Sequence, residues 1–275
     1  MAGPIGLTPS MSMTGLGMVN NVLKGKLREG CLTIGSWITL GHASVAEIMA
    51  MAGCDWLVID LEHSTIDIGS AEELVRTIDL CGIAPLVRLT SNSPDQIKRV
   101  IDAGAHGIIV PMVNAPEDAE SAVAATRYAP LGTRGVGLAR AHGFGENFSE
   151  YLQWQSDGPI VIVQIEHERA LEELEAILAV PGVDGLIIGP YDLSCSMGIP
   201  GQFEDLKLIE AIAHIRDTAI RVGCPAGLHV VEPDPKQLKQ AIDEGFTFIA
   251  YSVDVRMLDV AMRTGLKRIR AKSDT

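Results

Sequence analysis

Short apolar runs alternate with amphipathic segments along most of this chain. The runs cover residues 32–38, 56–62, 85–89, 107–113, 160–166, 185–189, 226–230 and 248–253. They are continuous rather than alternating, which is typical of strands in a sheet that is covered on both faces. Between them, apolar residues recur at positions i, i+3 and i+4, and a first helix is expected at residues 20–29. The pattern therefore predicts eight strands, each followed by a helix.

A glycine that ends a helix precedes every second predicted strand, at Gly53, Gly104, Gly182 and Gly245. Such glycines fit the short connections of alternating helices and strands. Eight units in a chain of 275 residues predict an α/β fold with a single (β/α)8 TIM barrel over residues 20–275. A Rossmann fold is disfavoured because no G-x-G-x-x-G follows the first strand. Residues 1–19 are rich in Gly, Met, Ser and Thr, and we predict a mobile segment rather than a targeting signal.

The charge of the chain excludes some classes of partner. Lys and Arg number 22 against 35 Asp and Glu, so the net charge is −13, which argues against nucleic acid and anionic membrane surfaces. No apolar stretch reaches the roughly 18 to 20 residues of a membrane helix. The five cysteines are scattered without a C-x-x-C pair, which favours a reducing compartment. A cytoplasmic protein is expected.

Two carboxylates follow neighbouring predicted strands, where a barrel of this kind has its active site. Glu166 ends the fifth run, and Asp192 follows the sixth. Adjacent parallel strands would place the two side by side, as a Mg²⁺ or Mn²⁺ site with hard oxygen ligands requires. A structural salt bridge is the alternative interpretation of each carboxylate.

Other strand ends carry further candidates. His63 follows the second run, and Asp60 could orient its ring, so His63 is a candidate general base rather than a polar residue at the core edge. Arg88 ends the third run and suits bidentate capture of a carboxylate or contact with a developing enolate oxygen; a structural ion pair is the alternative. Trp37 and His229 end the first and seventh runs. No lysine ends a strand, which disfavours Schiff-base chemistry.

These motifs, in this order, resemble those of the HpcH/HpaI aldolases, which are metal-dependent class II pyruvate aldolases with a phosphoenolpyruvate/pyruvate barrel. The resemblance runs from about residue 35 to residue 256. It includes Gly53-Cys54-Asp55-Trp56, Ile59-Asp60-Leu61-Glu62-His63, Arg127-Tyr128-Ala129-Pro130-Leu131-Gly132-Thr133-Arg134-Gly135, Gln164-Ile165-Glu166 and Gly189-Pro190-Tyr191-Asp192-Leu193-Ser194.

The resemblance implies a role for each candidate. Glu166 and Asp192 would hold a divalent ion (Mg²⁺, Mn²⁺ or Co²⁺), and His63, oriented by Asp60, would be the acid/base. The substrate would be bound by Arg88, Gln164, Gly189, Pro190, Tyr191 and Trp37. Asp102 would join the network from a neighbouring subunit.

The resemblance also implies a homo-hexamer, built as a trimer of dimers, in which the C-terminal helix is exchanged between subunits. Two positions depart from the family pattern. Tyr191 replaces a small residue whose backbone N–H helps to bind the pyruvate carboxylate, and a tyrosine would narrow the pocket. His167 replaces a threonine and is interpreted either as a neighbour of the metal ligands or as plain helix surface.

The expected activity is cleavage or formation of 4-hydroxy-2-oxo acids, to or from pyruvate and an aldehyde, through a metal-stabilised pyruvate enolate. Two alternatives stay open. One is a Claisen-type lyase or synthase that acts on an acyl-CoA or on oxaloacetate, and the other is a non-catalytic barrel that binds a 2-oxo acid. The long connection 131–157 could serve the active site or a partner subunit.

Overall fold

Eight parallel strands close into a barrel in chain order in the computed structural model, which describes residues 22–155 and 157–273. The strands are β1 (Thr33–Ile38), β2 (Trp56–Asp60), β3 (Ala84–Arg88), β4 (Gly107–Val110), β5 (Ile160–Ile165), β6 (Gly185–Ile188), β7 (Ala226–Val230) and β8 (Phe248–Val253). The predicted TIM barrel is confirmed. The predicted mobile segment, residues 1–19, lies outside the described residues.

Helices alternate with these strands and cover the outside of the barrel. They are α1 (Val22–Arg28), α2 (Ala43–Ala50), α3 (Ile68–Leu80), α4 (Pro94–Asp102), α5 (Pro116–Thr126), α6 (Phe148–Trp154), α7 (Leu174–Leu178), α8 (Pro190–Ser196), α9 (Leu206–Val222), α10 (Pro235–Asp243) and α11 (Asp254–Ser273). Proline occupies the first turn of α4, α5, α8 and α10, where its missing N–H removes no helical hydrogen bond. No helix in the described ranges is long and apolar enough to cross a membrane.

Two strands, β2 and β4, end two or three residues before their apolar runs do. β2 stops at Asp60 because that carboxylate accepts the backbone N–H groups of Glu62 and His63, which bends the chain. β4 stops at Val110, two residues before Met112, which has a φ of +54° and cannot continue a strand. Both irregular ends lie at the mouth of the barrel.

Alternate strand residues face the inside of the barrel and pack there in layers. At the end of the barrel where the strands begin, called the lower end below, the rings of Trp56 and Phe248 stack with their centroids 4.2 Å apart. The close approach requires Gly35, since a Cβ at that position would lie 2.1 Å from the Trp56 ring. A second and larger apolar cluster fills the space between the strands and the helices. The barrel is therefore a packed core, and the cavity lined by its strand ends opens at the mouth.

Helix α1 closes the lower end of the barrel. Leu23 and Leu27 join the inner core, and Lys24 is buried between them. The Lys24 ammonium donates to the carbonyl oxygens of residues 157, 158 and 159 and lies 3.2 Å from the Asp184 carboxylate. This buried charge is thus surrounded by acceptors, as burial of an ammonium requires.

The long connection between α5 and β5 is anchored on a buried arginine. Arg134 pairs with the carboxylate of Asp102 and donates to the Tyr151 hydroxyl at 2.9 Å. Its guanidinium also lies over the ring of Tyr128, 4.7 Å from the centroid. Asp102 ends α4 shortly before β4 begins, which places it at the end of the barrel away from the mouth. Its expected contact with a neighbouring subunit stays a prediction.

Candidate active site

A cavity of about 290 Å³ opens at the mouth of the barrel. The structure brings most of the predicted site residues into its lining: Trp37, His63, Arg88, Gln164, Gly189, Pro190, Tyr191 and Asp192, together with His229. This clustering follows from strand parity, because Arg88 and Gln164 share the inward face with the inner core residues of their strands. His229 likewise alternates with Val230, which packs in the outer cluster. Asp60, Glu62 and Glu166 lie immediately behind this lining, against Arg88 and Gln164.

Arg88 is held in one position by three neighbours. Its Nε and Nη2 atoms donate to the two Asp60 oxygens at 2.9 and 2.6 Å, and Nη1 lies 3.4 Å from Glu62 Oε2. The guanidinium also stacks on Trp37, 4.3 Å from the ring centroid. Asp60 occupies the Nε–Nη2 edge of the guanidinium, so a substrate oxygen or carboxylate would have to approach its Nη1–Nη2 end. Both expected roles of Arg88, capture of a carboxylate and contact with an enolate oxygen, stay predictions.

His63 lies at the mouth with 61% of its side chain exposed. Asp60 does not orient its ring, contrary to the expectation from the sequence, because the Asp60 carboxylate is committed to Arg88 and to the backbone N–H groups of residues 62 and 63. The carboxylate closest to the imidazole is instead Glu62, with Oε2 at 3.9 Å from Nε2. The exposed ring is free to reach a substrate in the cavity.

Glu166 is a buried carboxylate at the end of β5, with only 3% of the residue exposed. Its Oε1 atom accepts the backbone N–H of Met112 at 2.7 Å, and Oε2 accepts the side-chain amide of Gln164. Burial raises the pKa of the Glu166 carboxyl, and the nearby Asp192 charge acts in the same direction. A positive charge placed beside this carboxylate would therefore be strongly favoured.

Gly189 leaves the space that the Glu166 carboxylate occupies. A Cβ at position 189 would lie 2.9 Å from Glu166 Oε2 and 3.0 Å from its Cβ. Helix α8 begins immediately after this glycine and carries Asp192 in its first turn, where the side chain is exposed to the cavity. The short connection from β6 to α8 therefore sets one exposed carboxylate beside one buried carboxylate.

Glu62 is a site residue that the sequence analysis did not single out. Its pKa is raised to about 7, first by burial and further by the charges of Glu166, Asp60 and Asp192, while Arg88 acts in the opposite direction. Its Oε2 atom is buried without a hydrogen-bond partner among the described residues. The available signal in the sequence is position, since Glu62 lies only two residues beyond Asp60.

The donor set fits a hard divalent ion with few protein ligands. Glu166 and Asp192 supply carboxylate oxygens whose charges interact, and the Gln164 amide lies against one of them. No group of three or more His, Cys, Asp or Glu side chains within residues 22–155 and 157–273 is arranged to hold a metal. An ion on this pair would therefore take its remaining ligands from water and substrate, as Mg²⁺ commonly does.

Tyr191 and His167, the two residues that depart from the family pattern, make a packing contact and a helix-capping contact. Tyr191 is half exposed and packs edge-on against Phe203, with the centroids 4.7 Å apart, so its ring lines the rim of the cavity. His167 caps the 3-10 helix Glu168–Leu171, and its Nδ1 accepts the backbone N–H of Arg169 at 3.2 Å. The helix-surface interpretation of His167 agrees with this contact.

Comparisons with known proteins identify the family of this chain. Residues 33–260 match the model of the HpcH/HpaI aldolase/citrate lyase family. A hydroxypyruvate/pyruvate aldolase of Paraburkholderia phytofirmans is 38% identical over 258 residues, which cover 91% of this chain and 98% of the relative. A 2-keto-3-deoxy-L-rhamnonate aldolase of Salmonella gallinarum is 37% identical over 260 residues, which cover 92% and 95%.

A solved structure gives the same result. The HpcH/HpaI aldolase/citrate lyase family protein of Burkholderia cenocepacia superposes with a TM-score of 0.86 at 36% identity, covering 91% of this chain and 100% of that one. The chain belongs to the HpcH/HpaI aldolase/citrate lyase family and is a carbon–carbon lyase.

Proposed function

We propose that this protein is a divalent-metal-dependent aldolase that cleaves a 4-hydroxy-2-oxo acid to pyruvate and an aldehyde, or joins the two. One observation carries the proposal: the exposed Asp192 carboxylate and the fixed Arg88 guanidinium line one cavity, and the buried Glu166 carboxylate lies immediately behind that lining. The aldolase names of the relatives support the same reaction class.

Glu166 and Asp192 would hold the ion, with Gln164 beside it. A bound Mg²⁺, Mn²⁺ or Co²⁺ supplies a Lewis acid that polarises the keto group of the substrate. Two protein carboxylates leave room for a 2-oxo acid at the ion, which suits a substrate with two adjacent oxygen functions.

Arg88 would stabilise the negative charge that develops on the substrate when the carbon–carbon bond breaks. The Asp60 carboxylate fixes the guanidinium before substrate binds, so little reorganisation accompanies the reaction. Asp60 leaves the Nη1–Nη2 end of the guanidinium for substrate, and we expect Arg88 to donate through that end to the developing enolate oxygen.

His63 would accept the proton of the C4 hydroxyl as the bond to C3 breaks. Its exposed ring lines the cavity, so it would be accessible to the hydroxyl of a bound substrate. Glu62, 3.9 Å from the ring, takes the orienting position that the sequence analysis gave to Asp60.

The oligomeric state is part of the proposal. Helix α11 carries Val255, Leu258, Met262, Leu266 and Ile269 at exposed positions spaced by three or four residues, which places them along one side of the helix. Such a stripe fits an exchanged C-terminal helix in a homo-hexamer made of a trimer of dimers. Light scattering on the purified protein tests this state. A cytoplasmic location stays a prediction from composition.

The test is turnover of a 4-hydroxy-2-oxo acid with Mg²⁺, Mn²⁺ or Co²⁺, followed by addition of EDTA. We expect pyruvate and an aldehyde with the ion and loss of activity in the chelator. Unchanged activity in EDTA would contradict the metal. Turnover of an acyl-CoA thioester without turnover of any hydroxy-oxo acid would favour the Claisen-type alternative, and 2-oxo acid binding without any product would favour the non-catalytic one.

A further inference from the structure

A second and larger cavity adjoins the mouth of the barrel. Its volume is about 650 Å³, against about 290 Å³ for the mouth cavity, which places it within the usual size range of small-molecule sites. The two cavities share four lining residues, Pro190, Tyr191, His229 and Val231. The proposed ion, the 2-oxo acid and the acid/base all belong to the mouth cavity. The larger cavity, called the side cavity below, has no part in the proposed chemistry.

Most of the side cavity is lined by apolar side chains. The rings of Tyr191 and Phe203 meet edge to face, and these residues are 50% and 42% exposed. Leu228, Val231 and Ala241 continue the apolar lining. Aromatic side chains bury a large apolar area when a ligand covers them, so the exposed pair favours an apolar group in this cavity.

The charged residues that line the side cavity are all acidic. They are Glu204, Glu232 and Glu244, and no lysine or arginine in the described part of the chain lines it. Arg256 lies 2.8 Å from the Glu232 carboxylate, and Arg216 lies 4.0 Å from that of Glu244. Glu204 stands outside both of these pairs. An anionic group in the side cavity would therefore face a like charge with no lining cation to offset it.

We propose that the side cavity binds the part of the substrate beyond C4, and that it selects aldehydes with an uncharged, apolar chain. The inference rests on the proposed function, in which the 2-oxo acid end occupies the mouth cavity. The chain of the aldehyde then continues past Tyr191, which lines both cavities. An alkyl or aryl chain contacts the rings of Tyr191 and Phe203, whereas a terminal carboxylate or phosphate meets Glu204. Phe203 lines only the side cavity, so it determines specificity without touching the 2-oxo acid.

Three 2-oxo acids without a C4 hydroxyl test the side cavity, because they bind but cannot undergo the cleavage. Pyruvate fills only the mouth cavity, 2-oxooctanoate adds an apolar chain, and 2-oxooctanedioate adds the same chain with a terminal carboxylate. Calorimetry with Mg²⁺ present gives the dissociation constant of each for the wild type, Phe203→Ala and Glu204→Gln. Leu206→Ala is the matched control, since Leu206 is 72% exposed, follows Phe203 closely in the chain and does not line the cavity.

We expect the wild type to bind 2-oxooctanoate at least about 10-fold more tightly than pyruvate, since each methylene in an apolar pocket favours binding. The terminal carboxylate of 2-oxooctanedioate should remove most of this gain, and Glu204→Gln should restore part of it. Phe203→Ala should lower the preference for 2-oxooctanoate by about 10-fold and leave pyruvate binding unchanged, while Leu206→Ala matches the wild type.

Two results would overturn the inference. One is equal affinity of the wild type for pyruvate and 2-oxooctanoate, and the other is an equal loss of affinity for both ligands in Phe203→Ala. Because binding is measured without turnover, a wild type that shows the expected preferences but cleaves no 4-hydroxy-2-oxo acid would support the side cavity as a binding site and count against the proposed function alone.

Discussion

Asp60→Asn removes one charge from a buried ion pair while it keeps the size of the side chain. Asp60 and Arg88 have side chains that are 3% and 12% exposed, and two hydrogen bonds of 2.9 and 2.6 Å join them. The same carboxylate accepts the backbone N–H groups of Glu62 and His63. An amide has one acceptor oxygen, so it cannot serve all of these donors.

The expected loss of stability follows from this geometry. Removal of one partner of a buried pair costs about 3–5 kcal/mol because the other charge stays buried. Glu62 Oε2, 3.4 Å from Arg88 Nη1, would still balance part of the arginine charge. We therefore expect a loss of stability of about 3 kcal/mol. A displaced guanidinium should also lower kcat/KM by about 100-fold.

Urea unfolding followed by circular dichroism measures the loss, and the aldol cleavage assay measures kcat/KM. Asp95→Asn is the matched control, because that side chain is 92% exposed in a surface pair with Lys98. In a double-mutant cycle, the added substitution Arg88→Met should recover part of the stability, since no unpaired charge is then buried. A loss below about 1 kcal/mol, or strictly additive effects in the cycle, would refute the reasoning.

Three further predictions test other parts of the structure. Gly189→Ala should lower activity by about 10-fold or more, because its Cβ would collide with Glu166, whereas Gly25→Ala on α1, which meets no atom within 4 Å, should match the wild type in the same assay. The pKa of Glu62 is raised to about 7, so the folded protein binds this proton more tightly than the unfolded chain does. The resulting stabilisation is complete below pH 4.5 and is lost as the pH rises through 7. Between about pH 5 and pH 8 in EDTA, the wild type should therefore lose up to about 3 kcal/mol more than Glu62→Gln in urea unfolding; parallel curves would contradict the assignment. Lys24→Met should lower the unfolding free energy by about 3 kcal/mol, because the carbonyl groups of residues 157–159 and the Asp184 carboxylate would lose their buried partner. An unchanged urea midpoint would show that these contacts of Lys24 do not stabilise the protein.

The barrel could be predicted from sequence because its pattern is local. Continuous apolar runs, prolines in first helical turns and glycines at helix ends fix the order of the elements. The ends of β2 and β4 could not be predicted in the same way. They depend on the side chain of Asp60, which binds the backbone beyond it, and on the positive φ of Met112, neither of which leaves a periodic signal.

The sequence predicts which residues line the mouth but not how they pair. Strand ends place His63, Arg88 and Asp192 at one mouth. The partner of Asp60 could not be predicted, because Arg88 and the His63 ring both lie within reach of the strand end, and only the folded geometry decides between them. The role of Glu62 depends on the summed field of its neighbours, which a linear sequence does not display.

The most direct test of the account is Mn²⁺ binding, measured by electron paramagnetic resonance after the protein has been stripped with EDTA. We predict one ion per chain in the wild type, with affinity reduced by about 100-fold or more in both Glu166→Gln and Asp192→Asn. Asp95→Asn should bind Mn²⁺ as the wild type does. Unchanged Mn²⁺ affinity in both site variants would contradict the central claim that these two carboxylates hold the ion.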